Sequence, residues 1–359
     1  MRTSDGRIRV GVNGYGVIGK RVAAAVSRQE DMELVGVADV ATDWRLASAA
    51  RRGMPLYGAT EAAVRDMESA GLAPAGGLDT LLAGVDVVVD CTPKGVGAEN
   101  APAYRAAGVP FVVQGGEKHE VTGHSFVADA NYETAVGRDA TRVVSCNTTS
   151  IVRTLGALQA AGLLERARGT LLRRATDPWE SHLGGIMNTL VPEPSIPSHQ
   201  APDARTVLPA LDVVTVAVKV PETLGHLHFW SVDLAREAGR EEVLGALVST
   251  PRVAPLRTGD GLGALNAVKE LALDVGRPHG DLYEVALWED LVTVRGRELF
   301  YAYMVDNQAI VIPETVDAVR ALAGEEPDAE DSMRRTNAAL GIGELAEVTG
   351  GGMSTPAGS

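Results

Sequence analysis

Ile8-Arg9-Val10-Gly11-Val12-Asn13-Gly14-Tyr15-Gly16-Val17-Ile18-Gly19 sets a short apolar strand, Ile8 to Val12, directly before three glycines spaced G-x-G-x-x-G. From Gly19 to about Ser27 the apolar residues Val22, Ala23 and Val26 recur at helical spacing. In a strand–loop–helix context, Gly14 and Gly16 permit a tight turn and the close approach of a pyrophosphate. Gly19 lets the helix pack on the strand. The helix start then offers unpaired N–H groups to the anion. A ligand-free turn would use the same residues, and the chain holds 40 glycines, so it is position rather than pattern that points to a dinucleotide.

Working outward, Glu33 to Asp39, Val85 to Asp90, Phe111 to Val113 and Arg142 to Val144 read as further strands. Helical stretches separate them: one to about Arg52, one from Glu61 to Ala70 with Thr60 as N-cap, and one near Leu78 to Leu82. Strands alternating with helices predict a Rossmann-like, doubly wound parallel sheet. Later, Thr170 to Arg174, Val213 to Val220, Leu227 to Leu234 and Leu291 to Arg295 read as strands of a mainly antiparallel sheet. Helices over Ile151 to Ala161, Arg240 to Val248 and Leu262 to Leu273 would cover it, and another follows Pro313 over Glu314 to Ala323. The expected division is a dinucleotide-binding domain (1–146), an α+β catalytic domain (147–306), a segment packing back on the first domain (307–345), and a loose tail (346–359).

At 359 residues the chain suits two domains of about 150 residues each. A formal charge of −14 without a basic tract argues against nucleic acid as a partner. No apolar run reaches the roughly 18 residues a membrane span needs. A strand starting at Ile8 leaves no room for a signal peptide, so a cytoplasmic protein is expected. Cys91 and Cys146 are the two cysteines. They make neither a disulfide framework nor a clustered zinc site, so each is either core or a working thiol.

Asp39 closes the second strand 20 residues after Gly19. A carboxylate there accepts from the adenosine ribose hydroxyls and repels a 2′-phosphate, favouring NAD, with NADP as the alternative. Thr92 follows a strand end on the nicotinamide side, while Cys91 beside it reads as core. Cys146 lies where a buried strand enters a helix bearing Ile151, Leu155 and Leu158. A helix start favours a thiolate and lowers a thiol pKa, and its N–H groups can hold an oxyanion. Asn147 and Thr148 are capping residue types. His226 and His228 share one face of a strand. One of them could serve as base to the thiol. They could equally pack in a core, or ligate zinc with a third ligand that the sequence does not offer; no metal site is expected.

G-Y-G-V-I-G at Gly14, Q-G-G-E-K-H at Gln114, S-C-N-T-T at Ser145, R-R-A-T-D-P at Arg173 and H-L-H at His226 occur in the order and spacing of a known family. From Ile8 to about Leu340 the chain resembles archaeal-type phosphorylating glyceraldehyde-3-phosphate dehydrogenase. The resemblance implies that Cys146 is the nucleophile and His226 the general base. It implies that Val17, Ile18, Gly115 and Arg173 contact NAD(P), and that Ser145, Asn147 and Thr148 surround the substrate. His199 and Gln200 would bind substrate, and Arg173 and Arg174 would supply charge for two phosphates. A small phosphorylated aldehyde and inorganic phosphate would be the partners, in a homotetramer. Four features depart from the family. Asp39-Val40 replaces a Lys-Thr pair, Gln200 a second histidine and Asn307, expected at the nicotinamide, a glutamine; Trp179-Glu180-Ser181-His182 is also unlike the family pattern. A semialdehyde or other aldehyde dehydrogenase with the same chemistry, or a non-catalytic nucleotide-binding paralogue, are the competing readings.

Overall fold

The computed structural model describes residues 6–176, 189–324 and 326–350. The stretch Asp177-Pro178-Trp179-Glu180-Ser181-His182, singled out above, lies outside the described residues, as does the tail beyond Gly350. The chain divides into two compact units, Met1–Ser145 with Val311–Leu340, and Cys146–Ile310 with Gly341–Ser359.

The first unit is built on eight strands: β1 (Ile8–Asn13), β2 (Met32–Asp39), β3 (Leu56–Gly58), β4 (Pro74–Gly77), β5 (Val87–Asp90), β6 (Phe111–Val113), β7 (Ser125–Phe126) and β8 (Ala140–Val143). Their order is β4-β3-β2-β1-β5-β6-β8-β7, and every pairing is parallel. After β4 the chain crosses to the other side of β1, so the order of strands reverses between β1 and β5, where open α/β sheets bind ligands. Val87, Val88 and Val89 are wholly buried, as a parallel strand covered on both faces requires. Asp86, which interrupts that apolar run, accepts both from the Arg9 backbone (2.9 Å) and from its guanidinium (2.8 Å). The helix over Glu61–Ser69 is capped by Thr60, whose Oγ1 accepts from Ala63 N at 3.1 Å.

Two expectations for the carboxy-terminal segment need correction. Its helix spans Val311–Ala323 and so begins before Pro313; a proline in the first turn forfeits only an N–H that has no helical partner there. The helix is buried within the first unit. Arg320 is held by Asp31 at 2.7 and 2.9 Å and by Gln29 at 2.6 Å, and Glu314 accepts from Ala128 N at 2.6 Å. The segment belonging to that unit is residues 311–340, not 307–345. Beyond it, Glu344–Gly350 is helical, and Leu345 enters the core of the second unit with Leu256, Leu282, Trp288 and Met304.

The second unit adds β9 (Leu164–Arg174), β10 (Val191–Pro192), β11 (Val213–Val220), β12 (His226–Leu234), β13 (Val253–Leu256), β14 (Val285–Trp288), β15 (Thr293–Arg295) and β16 (Glu298–Val305). The order is β10-β11-β9-β12-β16-β14-β13, with β15 also on β16. β9–β11 and β13–β14 are parallel and the other pairings antiparallel, giving a mixed, mainly antiparallel sheet. β9 starts six residues before its expected beginning at Thr170. Along β12, His226, His228, Trp230, Val232 and Leu234 point inward while Phe229 points out. The helix Cys146–Ala160 packs on the covered face. It is anchored by the fully buried Arg153, which donates to Tyr283 O at 2.8 Å and Ile310 O at 3.3 Å.

Candidate active site

In the first unit, each glycine of the opening loop has its own reason. Gly14 has φ +91°, and a Cβ on it would lie 2.7 Å from the Cys91 carbonyl carbon. A Cβ on Gly19 would sit 1.8 Å from Gly14 O. Protein packing therefore demands both. Gly16 differs: its missing Cβ would meet no protein atom within 4 Å. Gly16 is also the N-cap of the helix Val17–Val26 and caps it with no side chain. Open space over a helix start is what a dinucleotide pyrophosphate needs, so the loop fits the cofactor. Val17 and Ile18 form the first turn, half-exposed.

Asp39 closes β2 as expected, and its carboxylate also pins the loop. Oδ2 accepts from Tyr15 N at 2.6 Å and Oδ1 from Ala41 N at 2.8 Å. A carboxylate takes about four hydrogen bonds, so capacity for ribose hydroxyls remains. Thr92 is held by Asp90, its N–H at 2.9 Å and its hydroxyl in a shorter bond. Sequence reasoning missed Asp90, a buried hub that also accepts from Tyr104 Oη at 2.6 Å and Asn100 Nδ2 at 2.9 Å. Burial pushes the Cys91 thiol well up, and the residue as a whole is half-buried. Gly115 follows β6, where a Cβ would lie 2.3 Å from Ser145 N, so its loop can run against Ser145.

In the second unit, Cys146 opens the helix Cys146–Ala160. Its Sγ is 3.4 Å from His226 Nε2 and 3.8 Å from Asn147 Nδ2. His226 Nδ1 lies 3.0 Å from the Arg174 backbone N–H. A backbone N–H only donates, so Nδ1 accepts and the neutral ring carries its proton on Nε2, aimed at the sulfur. In the resting chain His226 is therefore a donor to sulfur, and a general-base role would need its other tautomer. Burial, then the nearby His228, Arg174 and Arg173, push His226 well below the usual histidine range. The expected lowering of the thiol pKa fails in this state. Burial raises Cys146 above its ordinary value, outweighing the downward pull of Arg174, the Asn147 N–H and Arg173.

His228 lies on the same face and is pushed down to about 3 by burial and the charge of Arg173. It contacts Asn147 Oδ1 at 2.8 Å and Tyr303 Oη at 3.0 Å. Thr148 is buried and donates to Asp203 Oδ2 at 2.7 Å. Among the described residues, no group of three His, Cys, Asp or Glu side chains is arranged to hold a metal ion.

The substrate-binding expectations fare unevenly. Arg173 and His199 come together on one acid that sequence reasoning overlooked. Glu193 takes Arg173 Nη1 at 3.0 Å on Oε2 and His199 Nδ1 at 2.7 Å on Oε1. Both expected anion ligands thus already face a carboxylate. Gln200 is fully buried, with Oε1 accepting from Ser198 Oγ at 2.6 Å and Nε2 3.1 Å from His199 Nε2. In that position it orients His199. Arg174, at the end of β9, reaches His226 through its backbone. Asn307 follows β16 and is nearly buried. The neighbouring Asp306 fixes the turn by accepting from Gln308 N at 2.8 Å and Ala309 N at 3.2 Å.

Comparison with known proteins identifies the family. Residues 145–270 match the family model for the glyceraldehyde 3-phosphate dehydrogenase C-terminal domain. Residues 8–121 match that for the dihydrodipicolinate reductase N-terminus. A protein of Thermococcus kodakarensis is 45% identical over 94% of this chain and 99% of its own length. One of Metallosphaera sedula is 45% identical over 94% and 98%, and one of Halobacterium salinarum 45% over 93% and 100%. All three are named glyceraldehyde-3-phosphate dehydrogenase.

Proposed function

The chain belongs to the glyceraldehyde-3-phosphate dehydrogenase family, and from that premise we propose that it oxidises glyceraldehyde 3-phosphate to an acyl phosphate with NAD or NADP. The observation that carries this reading is Cys146 at a helix start with His226 Nε2 3.4 Å from its sulfur.

Loss of the thiol proton to solvent leaves a thiolate whose charge is met by the His226 Nε2–H, the Asn147 N–H, and the arginines 173 and 174. The sulfur bonds to the aldehyde carbon, and charge moves to the former carbonyl oxygen, where N–H groups at the helix start can meet it. A bound nicotinamide dinucleotide supplies the hydride acceptor that turns this adduct into a thioester. Phosphate then attacks the thioester carbon, the acyl phosphate forms, and sulfur leaves as thiolate, stabilised by the same donors. For His226 to take up a proton instead, its ring needs the Nδ1–H tautomer, which costs the 3.0 Å bond from Arg174 N–H. Base function therefore requires that bond to break during the cycle. Covalent capture conserves the oxidation energy for phosphorolysis.

Asp39 supports NAD over NADP through charge repulsion of a 2′-phosphate. Gly14, Gly16, Gly19, Thr92, Gly115 and Asn307 are the further proposed cofactor contacts. We also propose self-association up to a homotetramer, because the outer face of the second sheet exposes Val216, Phe229 (46%), Leu291 and Phe300 (37%), apolar surface that a second copy would cover. No helix among the described residues is long and apolar enough to cross a membrane. A working thiol suits a reducing compartment such as the cytoplasm.

The test is the initial rate with glyceraldehyde 3-phosphate, NAD or NADP, with and without phosphate. Turnover should require phosphate and disappear in Cys146→Ser with cofactor binding retained. Rates indifferent to phosphate would remove the phosphorolysis step, and turnover of a different aldehyde alone would favour a semialdehyde dehydrogenase.

A further inference from the structure

A buried line of three side chains ends on the reacting sulfur. Tyr303 Oη is 3.0 Å from His228 Nδ1, His228 Nε2 is 2.8 Å from Asn147 Oδ1, and Asn147 Nδ2 is 3.8 Å from Cys146 Sγ. Tyr303 and His228 are fully buried and Asn147 nearly so. An amide oxygen only accepts, so His228 Nε2 carries the proton and donates. A neutral ring protonated there leaves Nδ1 as an acceptor facing the Tyr303 hydroxyl, whose single proton is shared with Ser150 Oγ at 3.3 Å. Burial keeps His228 neutral through the accessible pH range, so the line holds its polarity as pH changes. What it decides is the orientation of one amide. With Oδ1 held by His228, Asn147 turns its NH2 group to the sulfur. The reverse orientation would set an oxygen lone pair against the thiolate.

We propose that His228 and Tyr303 are positioning residues, which lock the Asn147 amide so that it donates to the Cys146 sulfur whenever that sulfur is anionic. This rests on the reading of Cys146 as nucleophile. A donor to a charged sulfur lowers the free energy of the thiolate and leaves the neutral thiol almost unaffected. Its loss therefore raises the thiol pKa and slows both attack on the aldehyde and departure from the thioester.

Alkylation of Cys146 by iodoacetamide, followed against pH by mass spectrometry of its peptide with Cys91 as reference, reads this without turnover. In His228→Leu the apparent thiol pKa should rise by about one unit, making alkylation about tenfold slower below it. The kcat should fall in parallel while the KM for aldehyde moves less. His228→Gln, whose amide can still donate to Asn147, should recover most of the loss. Tyr303→Phe, which leaves the tautomer unpinned, should shift the profile the same way by a smaller amount. An unchanged profile in His228→Leu, or a shift in His228→Gln as large as in His228→Leu, overturns the proposal in favour of plain packing. Should the leucine variant not fold, an unchanged profile in Tyr303→Phe overturns it. If activity in the parent survives full alkylation of Cys146, it is the nucleophile assignment that fails, a separate result.

Discussion

Glu193 holds, with its own carboxylate, Arg173 and His199, two of the residues expected to receive substrate or inorganic phosphate. It touches Arg173 Nη1 at 3.0 Å, His199 Nδ1 at 2.7 Å and His199 N at 3.2 Å. Its side chain is 17% exposed and that of Arg173 24%. Burial pulls Glu193 upward, but the hydrogen bonds and charge of His199, with the charge of Arg173, hold it below the ordinary glutamate range, so it is anionic at neutral pH. A phosphate arriving at Arg173 must compete with that charge. Glu193→Gln removes the charge and keeps an acceptor of the same shape. Two unit charges at about 4 Å attract by about 4 kcal/mol at an effective dielectric of about 20. Solvent and desolvation leave a partly buried pair of this kind nearer 1–2 kcal/mol. The variant should therefore bind phosphate about tenfold more tightly.

Initial rates against phosphate concentration test this: the KM for phosphate should fall by about that factor at low ionic strength, and the difference from the parent should shrink as salt screens the pair. The variant should also lose about 1 kcal/mol of stability with the ion pair. An unchanged KM would refute the competition argument. A raised KM would mean that Glu193 holds Arg173 in its working position instead.

Other outcomes follow from the same geometry. Gly16→Ala should keep its melting temperature and lose cofactor affinity, because only ligand space is filled, whereas Gly19→Ala should lower the melting temperature by forcing a Cβ into Gly14 O; calorimetry and cofactor titration separate the two, and equal melting temperatures would contradict the distinction. Asp39→Ser should raise the NADP-to-NAD ratio of kcat/KM, and no change in that ratio would remove Asp39 from cofactor choice. Half-buried His124 and fully buried His228 are held down to about 4 and about 3, against about 6.5 in an unfolded chain. The stability this represents is complete above pH 6.5 and is lost as pH falls towards those values, at up to about 1.4 kcal/mol per pH unit for His228 and less for His124, whose exposure to solvent screens it. Denaturant titrations between pH 6.5 and 4.5 should show that slope, and His228→Gln should reduce it by one group's share; an unaltered slope would mean that His228 is not held neutral.

What the sequence could reveal tracks how local each physical cause is. β1, β2 and the glycine loop were legible because the strands are mainly apolar, and because Gly19 answers to Gly14 within the motif itself, although Gly14's own constraint comes from Cys91 far along the chain. The first half of β9 was not, since Arg166, Arg168 and Thr170 alternate with Ala167 and Gly169, side chains too small or too charged to read as a strand. The helix Val96–Ala107 hid behind Pro102 in its interior. β16 shows no alternation over Tyr301–Val305 because all five residues are buried. In that run Tyr303 reads as core, and only the fold brings its hydroxyl to His228.

The same distinction explains the thiol. Ser145-Cys146-Asn147 announces a helix start, and a helix start by itself favours an anion by about 0.3–1 kcal/mol at an exposed site. Moving a thiolate out of water costs more than that unless donors replace the water, and burial is set by what β9, β12 and β16 bring to the helix, which no short motif encodes. The net upward shift of Cys146 is therefore the sum of a local term that was readable and a larger packing term that was not. Arg174, the Asn147 backbone N–H and Arg173 oppose it, and two further donors, the His226 Nε2–H and the Asn147 side-chain amide, lie 3.4 and 3.8 Å from a sulfur that is still a thiol. They gain strength only when that sulfur becomes anionic, as it does when the proton is lost and again when the thioester breaks. An arrangement that leaves the resting thiol protonated and favours the charged sulfur along the reaction spends its interactions on the steps that need them.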